Sequence, residues 1–483
     1  MWDGAVMQDH AIMPAVADGL DPADWAELRA LGHRMLDDMV DHVAALRDGP
    51  VWQKRPVSDA LDQPLPREGA DLAAVYEVFR REVLPYSVGN LHPGFMGWVH
   101  GGGTAVGMLA EMLAGGLNAN CGGRDHAPIA VEKQVIAWAA AMVGFPPGAS
   151  GVLVTGTSIA NFIGLLVARR AALGPDCRTD GVGGSGLVAY TSVAAHGCIA
   201  QAMDMAGLGT GALRSIGADA QGRMVTAALV AAIARDRDAG LRPFLVVGTA
   251  GSVDTGAVDD LAALAAVCRA EGLWFHVDGA FGAFAAVAPS LRHLVQGMAD
   301  ADSLAFDFHK WGQVPYDAGC ILVREPQRQL DTFAQDNAYL RRQDSGLAHG
   351  YPWPCDLGPD LSRGFRALKV WMTLATFGTA RLGEVVERCC ALARRLAAQV
   401  VAETRLELLA PVTLNIVCFR VAGFDDAANA ALVAALQEQG KFAPSTTRVG
   451  GVLAIRCAIV NHRSCAADLD GLLPALLCLV QRK

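Results

Sequence analysis

Ser303-Leu-Ala-Phe-Asp-Phe-His-Lys-Trp311 is the stretch from which the fold can be read. Its apolar start reads as a strand, and the strand end brings Asp307, His309 and Lys310 together. A lysine beside a histidine at a strand end can act as an amine nucleophile. Lysines next to tryptophan are more often solvated stems lying on an aromatic face. The meaning of this one therefore depends on what stands upstream.

Upstream lies Trp274-Phe-His-Val-Asp-Gly-Ala280. Leu273 to Val277 reads as a buried strand of a parallel sheet that delivers Asp278 to its carboxyl end, where ligands bind in open α/β sheets. A buried carboxylate needs a cation; the plainer reading is a cap on the following helix. Asp278 and Lys310 are 32 residues apart, enough for one crossover, with a helix predicted over Pro289 to Met298. Two further pieces precede them. Gly151-Val-Leu-Val-Thr-Gly-Thr-Ser-Ile-Ala-Asn161 reads as strand, glycine turn and a helix from about Ile159. Free amides there, with Thr157 and Ser158, make a phosphate cradle or simply an N-cap. Leu187 to Gly197 is a strand leading to His196, which suits stacking on a flat ring or an ordinary loop. Together, hydroxyl turn, His196, Asp278 and Lys310 suit pyridoxal 5'-phosphate, held as a Schiff base with its ring nitrogen on a carboxylate.

With these motifs in place the chain resembles the group II pyridoxal-phosphate decarboxylases, from His92-Pro93 through His309-Lys310-Trp311 to Asn461-His462-Arg463. His-Lys-Trp and His-Val-Asp-Gly-Ala carry the likeness; the glycine turn and the carboxy-terminal part are less specific. The resemblance implies an α/β architecture of fold type I. It divides the chain into a helical arm (1–91), a large cofactor domain with a mixed, mostly parallel sheet (92–372) and a small α+β domain (373–483). It implies Lys310 as the Schiff-base lysine, Asp278 as the pyridine-nitrogen partner, and Ala280 and His196 on the two ring faces. Thr157, Ser158 and Asp307 would lie around the phosphate, with His309 beside the cofactor. Many relatives have asparagine in place of Asp307, so its charge must be neutralised or turned away. A homodimer whose active sites are completed by the partner subunit is also implied.

Composition fits a metabolic enzyme. The 483 residues, 52% hydrophobic, can bury large cores, and a net charge of −9 argues against nucleic acid. Twelve cysteines without a C-x-x-C pair read as reduced residues of a cytoplasmic protein, and no metal site is expected. Asp3, Asp9 and Asp18 argue against a signal peptide, and no apolar run has membrane-spanning length. A helix is predicted from Asp21-Pro22 to Arg47, stopped by Gly49-Pro50, with Trp25, Leu28, Leu31, Met35, Met39, Val43 and Leu46 on one face. The resemblance places it on the partner subunit. Strands are predicted at Leu245 to Val247, Val412 to Arg420 and Gly451 to Ile459, and helices at Leu261 to Arg269 and Leu368 to Phe377. Gly181-Val-Gly-Gly-Ser-Gly186 matches a dinucleotide fingerprint but precedes its strand, so a loop is the better reading.

Asp331 to Pro354 has no clear period and reads as a mobile lid. Its Tyr339 is the candidate proton donor, and in the family tyrosine there goes with decarboxylation, phenylalanine with aldehyde formation. The stretch after His92-Pro93 lines the side-chain pocket in that family. Here Trp98, His100 and Gly101 are the candidate substrate contacts, Trp98 and Val99 favour an aromatic ring, and Gly101 replaces a hydroxyl residue of catechol-handling relatives. Arg124, Asp125 and His126 leave a polar or acidic side chain open. The expected activity is decarboxylation of an L-amino acid to amine and carbon dioxide. An aminotransferase using Arg456 or Arg463, an aldehyde synthase and a non-catalytic cofactor-binding protein stand as alternatives.

Overall fold

Seven short runs of apolar residues form the central sheet: β2 (Ser150–Val154), β3 (Leu187–Ser192), β4 (Leu213–Ile216), β5 (Arg242–Thr249), β6 (Trp274–Asp278), β7 (Ser303–Asp307) and β8 (Gly319–Val323). Their order in a computed structural model of the chain is β2-β8-β7-β6-β5-β3-β4. All neighbours are parallel except β8, which runs antiparallel to both β2 and β7. Strands buried on both faces need no polar alternation, which is why β3, β7 and β8 are buried at every position. The structure describes residues 19–336 and 338–481; the acidic start with Asp3, Asp9 and Asp18 lies outside them.

The second sheet has the order β1-β11-β12-β10-β9, built from β1 (Phe95–Met96), β9 (Leu406–Leu408), β10 (Ile416–Val421), β11 (Ala443–Val449) and β12 (Val452–Ala458). Phe95 pairs with Ala443 in parallel, so the stretch after His92-Pro93 is tied to the carboxy-terminal sheet. The two sheets belong to a unit of residues 50–54 and 86–481; residues 19–49 and 55–85 form a separate unit.

In that separate unit, α1 (Trp25–Ala44) starts one turn later than Asp21-Pro22 predicts. Asp24 is the cap because its carboxylate accepts the Ala26 amide at 2.7 Å. None of the helix is buried in this chain. Short α2 (Leu72–Val78) presents Tyr76, whose hydroxyl donates to Asp38 at 2.7 Å.

Between β6 and β7 the predicted α-helix is replaced by 3-10 turns, Gly282–Val287, Arg292–Val295 and Met298–Asp300. The chain leaves helical geometry at Gln296 (ψ 135°) and the left-handed Gly297 (φ 91°), which ends the turn there. The helix expected at Leu368 to Phe377 extends over Arg366–Ala402, interrupted at Gly378. Buried Arg363, just before it, pairs with Glu132 of α4 (Ala127–Val143), which follows α3 (Ala105–Leu117).

Candidate active site

The carboxyl ends of β5, β6 and β7 and the start of α5 (Thr157–Leu173) enclose a cavity of about 480 Å³, within the range of about 300–1,000 Å³ usual for small-molecule sites. Each element contributes by its geometry. Alternation along β6 turns Trp274, His276 and Asp278 to one face. β7 ends in Asp307, and the turn after it carries His309 and Lys310. Gly156 opens α5 so that Thr157 and Ser158 sit at its amino end. Thr157, Ser158, His196, Asp278, Ala280, Asp307, His309 and Lys310 all line this one cavity.

Asp278 is 4% exposed. One carboxylate oxygen accepts the Ala280 amide and the other the Asn161 side-chain amide, both at 3.1 Å. Burial pushes its pKa up, opposed by Lys310, these two donors and His196. Asp307 accepts the Thr157 amide at 2.7 Å and lies 2.9 Å from Lys310 Nζ. Its charge is thus turned to the helix amino end and the lysine, as a residue beside a phosphate requires. His309 Nδ1 accepts the Ala318 amide at 3.1 Å, leaving the proton on Nε2, which lies 3.6 Å from Asp307. Burial lowers the His309 pKa, so the ring is neutral. His196 Nδ1 likewise accepts an amide, that of Cys198 at 3.1 Å, which leaves Nε2–H to face the cavity.

One end of the cavity is aromatic. Trp98, with a left-handed backbone (φ 46°), stacks on His100 at 5.8 Å, and Tyr316 meets His100 edge-on at 5.9 Å. Tyr316 also packs on His309 at 4.3 Å. Sequence reading missed Tyr316, because nothing in Val-Pro-Tyr-Asp announces a cavity wall. It also passed over Asn161, although i, i+3 and i+4 spacing from Ser158 and Thr157 places all three on one face of α5.

Six residues expected at the site do not line this cavity. Gly101 packs instead against the lysine turn: a Cβ there would sit 2.3 Å from the His309 carbonyl oxygen and 2.4 Å from that of Lys310. Close backbone approach, rather than substrate choice, explains the glycine. Tyr339 is 71% exposed and lines a separate pocket with Cys355 and Pro359. Arg124 lies over the Trp353 ring at 4.8 Å, and His126 bonds the Gly123 carbonyl at 3.2 Å. Arg456 donates to the Asp254 carbonyl (3.2 Å), the Val253 carbonyl and Ser445 (3.3 Å), and Arg463 to the Gly102 carbonyl at 2.8 Å. Guanidinium groups so engaged do not offer the carboxylate grip an aminotransferase uses. Among the described residues no His, Cys, Asp or Glu cluster could hold a metal.

The residues fit pyridoxal phosphate. The cavity has an amine for the aldehyde, a buried carboxylate for the ring nitrogen, and a helix amino end where Thr157 Oγ1 is buried without a partner among the described residues.

Comparison with known proteins agrees. Residues 55–422 match the pyridoxal-dependent decarboxylase conserved domain. An aromatic-L-amino-acid decarboxylase of Bacillus atrophaeus is 31% identical over 460 residues, 92% of this chain and 93% of that protein. A phenylacetaldehyde synthase of Arabidopsis thaliana is 28% identical, covering 91% and 93%. The crystal structure of Oryza sativa TDC with PLP and tryptamine is similar with a TM-score of 0.88 and 26% identity, over 96% of this chain and 99% of that one. The sheet order and the flanking helices are those of fold type I. The chain belongs to the pyridoxal-dependent decarboxylase family and is a pyridoxal-phosphate-dependent carboxy-lyase acting on an amino acid.

Proposed function

We propose that this enzyme converts an aromatic L-amino acid to its amine and carbon dioxide. The observation that carries the reading is the juxtaposition, in one cavity, of Lys310 and Asp278 with the wall of Trp98, His100 and Tyr316. The aromatic-L-amino-acid decarboxylases among its relatives support the same substrate class. When bound, pyridoxal phosphate supplies an aldehyde that condenses with amines and a protonated ring that draws electrons from the bond to the departing carboxylate.

The chain's residues have distinct tasks in this proposal. Lys310 is the amine that holds the cofactor and gives way to the substrate amine. Asp278 keeps a positive charge on the ring nitrogen by ion pairing, and Ala280 and His196 take the two ring faces. Thr157, Ser158 and the start of α5 bind the phosphate, while Asp307 and His309 position the lysine turn. His196 Nε2–H orients the substrate carboxylate. Trp98, His100 and Tyr316 exclude water from the side chain. Tyr339 delivers the proton to Cα.

Tyr339 is exposed in its own chain, which supports its acting on the active site of a second subunit. We take the enzyme to be a homodimer with each site completed by the partner. The unburied apolar face of α1 supports a swapped arm, with the chain divided at about 91 and 372. Twelve unbridged cysteines support a reducing, cytoplasmic setting, and no helix among the described residues is long and apolar enough to cross a membrane.

The test is carbon dioxide release over the common amino acids, with amine, aldehyde and keto acid measured together. Amine and carbon dioxide in equal amounts from phenylalanine, tyrosine or tryptophan are expected. Turnover confined to acidic or basic amino acids would remove the aromatic assignment, and aldehyde in place of amine would remove the role of Tyr339.

A further inference from the structure

Behind Asp278 runs a file of buried polar groups that none of the roles above uses. Alternation puts Trp274, His276 and Asp278 on one face of β6. That face meets α5, where Asn161 and Gly164 are one turn apart. Gly164 makes the room: a Cβ there would sit 2.7 Å from the His276 ring. Register places Ser303 of β7 beside His276. The contacts form a continuous chain. Trp274 Nε1 lies 2.8 Å from Ser303 Oγ, and Ser303 Oγ lies 2.7 Å from His276 Nδ1. His276 Nε2 lies 2.8 Å from Asn161 Oδ1, and Asn161 Nδ2 lies 3.1 Å from Asp278.

The polarity of this chain follows from its ends. Indole N–H can only donate, and an ionised carboxylate can only accept. Asn161 must therefore turn its amide to Asp278, where its second proton also meets Cys198 Sγ at 3.3 Å. Its carbonyl then requires a proton on His276 Nε2. Burial holds the His276 pKa down to about 3 against a smaller opposing pull from Ser303, so the ring is neutral and Nδ1 is bare. Nδ1 accepts the Ser303 hydroxyl proton, and the Ser303 oxygen accepts from Trp274. Every group is satisfied.

A proton on the Asp278 oxygen that faces Asn161, directed at that residue, would reverse the file. Asn161 would turn its carbonyl to the acid, its amide would face Nε2, and Nδ1–H would point at Ser303. The Ser303 oxygen would then receive two donors, from His276 and Trp274. Among the bonds of the described residues its own proton would have no acceptor.

We propose that Trp274, Ser303, His276 and Asn161 form a polarity-locked relay that holds the Asn161 amide on Asp278 and so favours its ionised form, making them positioning residues for the ring-nitrogen proton. This rests on Asp278 being the ring-nitrogen partner. The charged and titratable groups facing Asp278 are Lys310, His196 and the Cys198 thiol, all on the cavity side. The Cys198 thiol also touches Asn161, whereas Trp274, Ser303 and His276 do not line that cavity, so substitutions at Trp274 and Ser303 act from the other side.

The experiment uses holoenzyme loaded with pyridoxal phosphate carrying ¹⁵N in the ring, with the nitrogen resonance reporting its protonation. Wild type is compared with Ser303→Ala and Asp278→Asn, which remove or neutralise one polar group at nearly constant volume, and with Trp274→Phe, which removes the indole N–H together with part of the ring. The relay predicts that Ser303→Ala and Trp274→Phe move the resonance toward the unprotonated position. The proton's distribution should change about tenfold, the equivalent of one pKa unit, with kcat falling by a similar factor and KM unchanged. If Asp278→Asn moves the resonance while both relay variants leave it in place and lower only the melting temperature, the relay is merely structural and the proposal fails. If Asp278→Asn itself leaves the resonance unmoved, the ring-nitrogen assignment fails, and the relay proposal with it.

Discussion

Two regions that the reaction needs are built in opposite ways. The wall formed by β6, β7 and the lysine turn is buried, and Asp278 and Asp307 each hold at least two donors within 3.1 Å. The connection from Asp331 to Pro354 starts in the last turn of a helix (Pro326–Phe333) and, among its described residues, has one further 3-10 turn at Ala338–Leu340 before the one that begins at Pro354; its Tyr339 is 71% exposed. A buried carboxylate without partners would be costly, so the wall must be complete when the chain folds. In the proposed function Tyr339 is a proton donor that has to admit substrate and then close, and such a residue gains nothing from being fixed in advance. On that reading the difference separates residues that hold from a residue that arrives.

The largest effect should come from the wall. Lys310→Ala should abolish turnover, and borohydride treatment should leave no reduced cofactor label on the protein. A label found at another lysine would overturn the assignment of the wall. On the other side of the comparison, Tyr339→Phe should cut amine formation by about 10²–10⁴-fold, the usual reach of a positioned acid, while the cofactor's absorbance stays intact. Mixing that variant with Lys310→Ala protein sharpens the point: mixed dimers should regain activity if the tyrosine serves the partner's site.

Stability should respond less dramatically, and apart from cofactor chemistry. Arg363 is 5% exposed and bonds Glu132, the Cys121 carbonyl at 2.9 Å and the Leu153 carbonyl at 2.6 Å. Glu132→Gln strips one partner of a buried pair and should cost about 3–5 kcal/mol. Chemical denaturation would measure this, with cofactor bound per folded chain unchanged. Loss of cofactor at unchanged stability would contradict it.

Taken per unit of pH, the smallest effect is on acid stability. Burial lowers His276 to about 3 and His462 to about 4, both below the unfolded value of about 6.5. Above that value both rings are neutral in either state. Below it only the unfolded chain takes up protons. Stability should therefore be full above pH about 6.5 and fall by up to about 1.4 kcal/mol per unit for each histidine as pH drops toward 4 and then 3. A denaturation midpoint that stays level from pH 6 to 4 would show that these rings are charged or solvated in the fold.

The wall was the legible region. Apolar runs ending in Asp278 and Asp307, and a glycine turn before α5, declare strand ends and a helix start by local pattern alone. The aromatic end was partly legible, since Trp98 and His100 stand in a recognisable stretch while Tyr316 does not. The helix predicted over Pro289 to Met298 failed because the backbone turns out of helical geometry at Gln296 and Gly297 despite a helix-like apolar spacing. Gly101 read as a substrate contact, but the carbonyls that exclude a side chain there come from a turn more than two hundred residues later.

By itself the sequence determined the strands and helix start that carry the site, the amine and carboxylates at their ends, and the family to which they point. These depend on periodicity and on residue types at fixed local spacing. Only the tertiary structure decided which side chains share a cavity, which arginines are already engaged, and which way the hydrogen bonds behind Asp278 run. Those depend on register between strands distant in sequence and on burial, which leaves each polar group to find its partner within the fold.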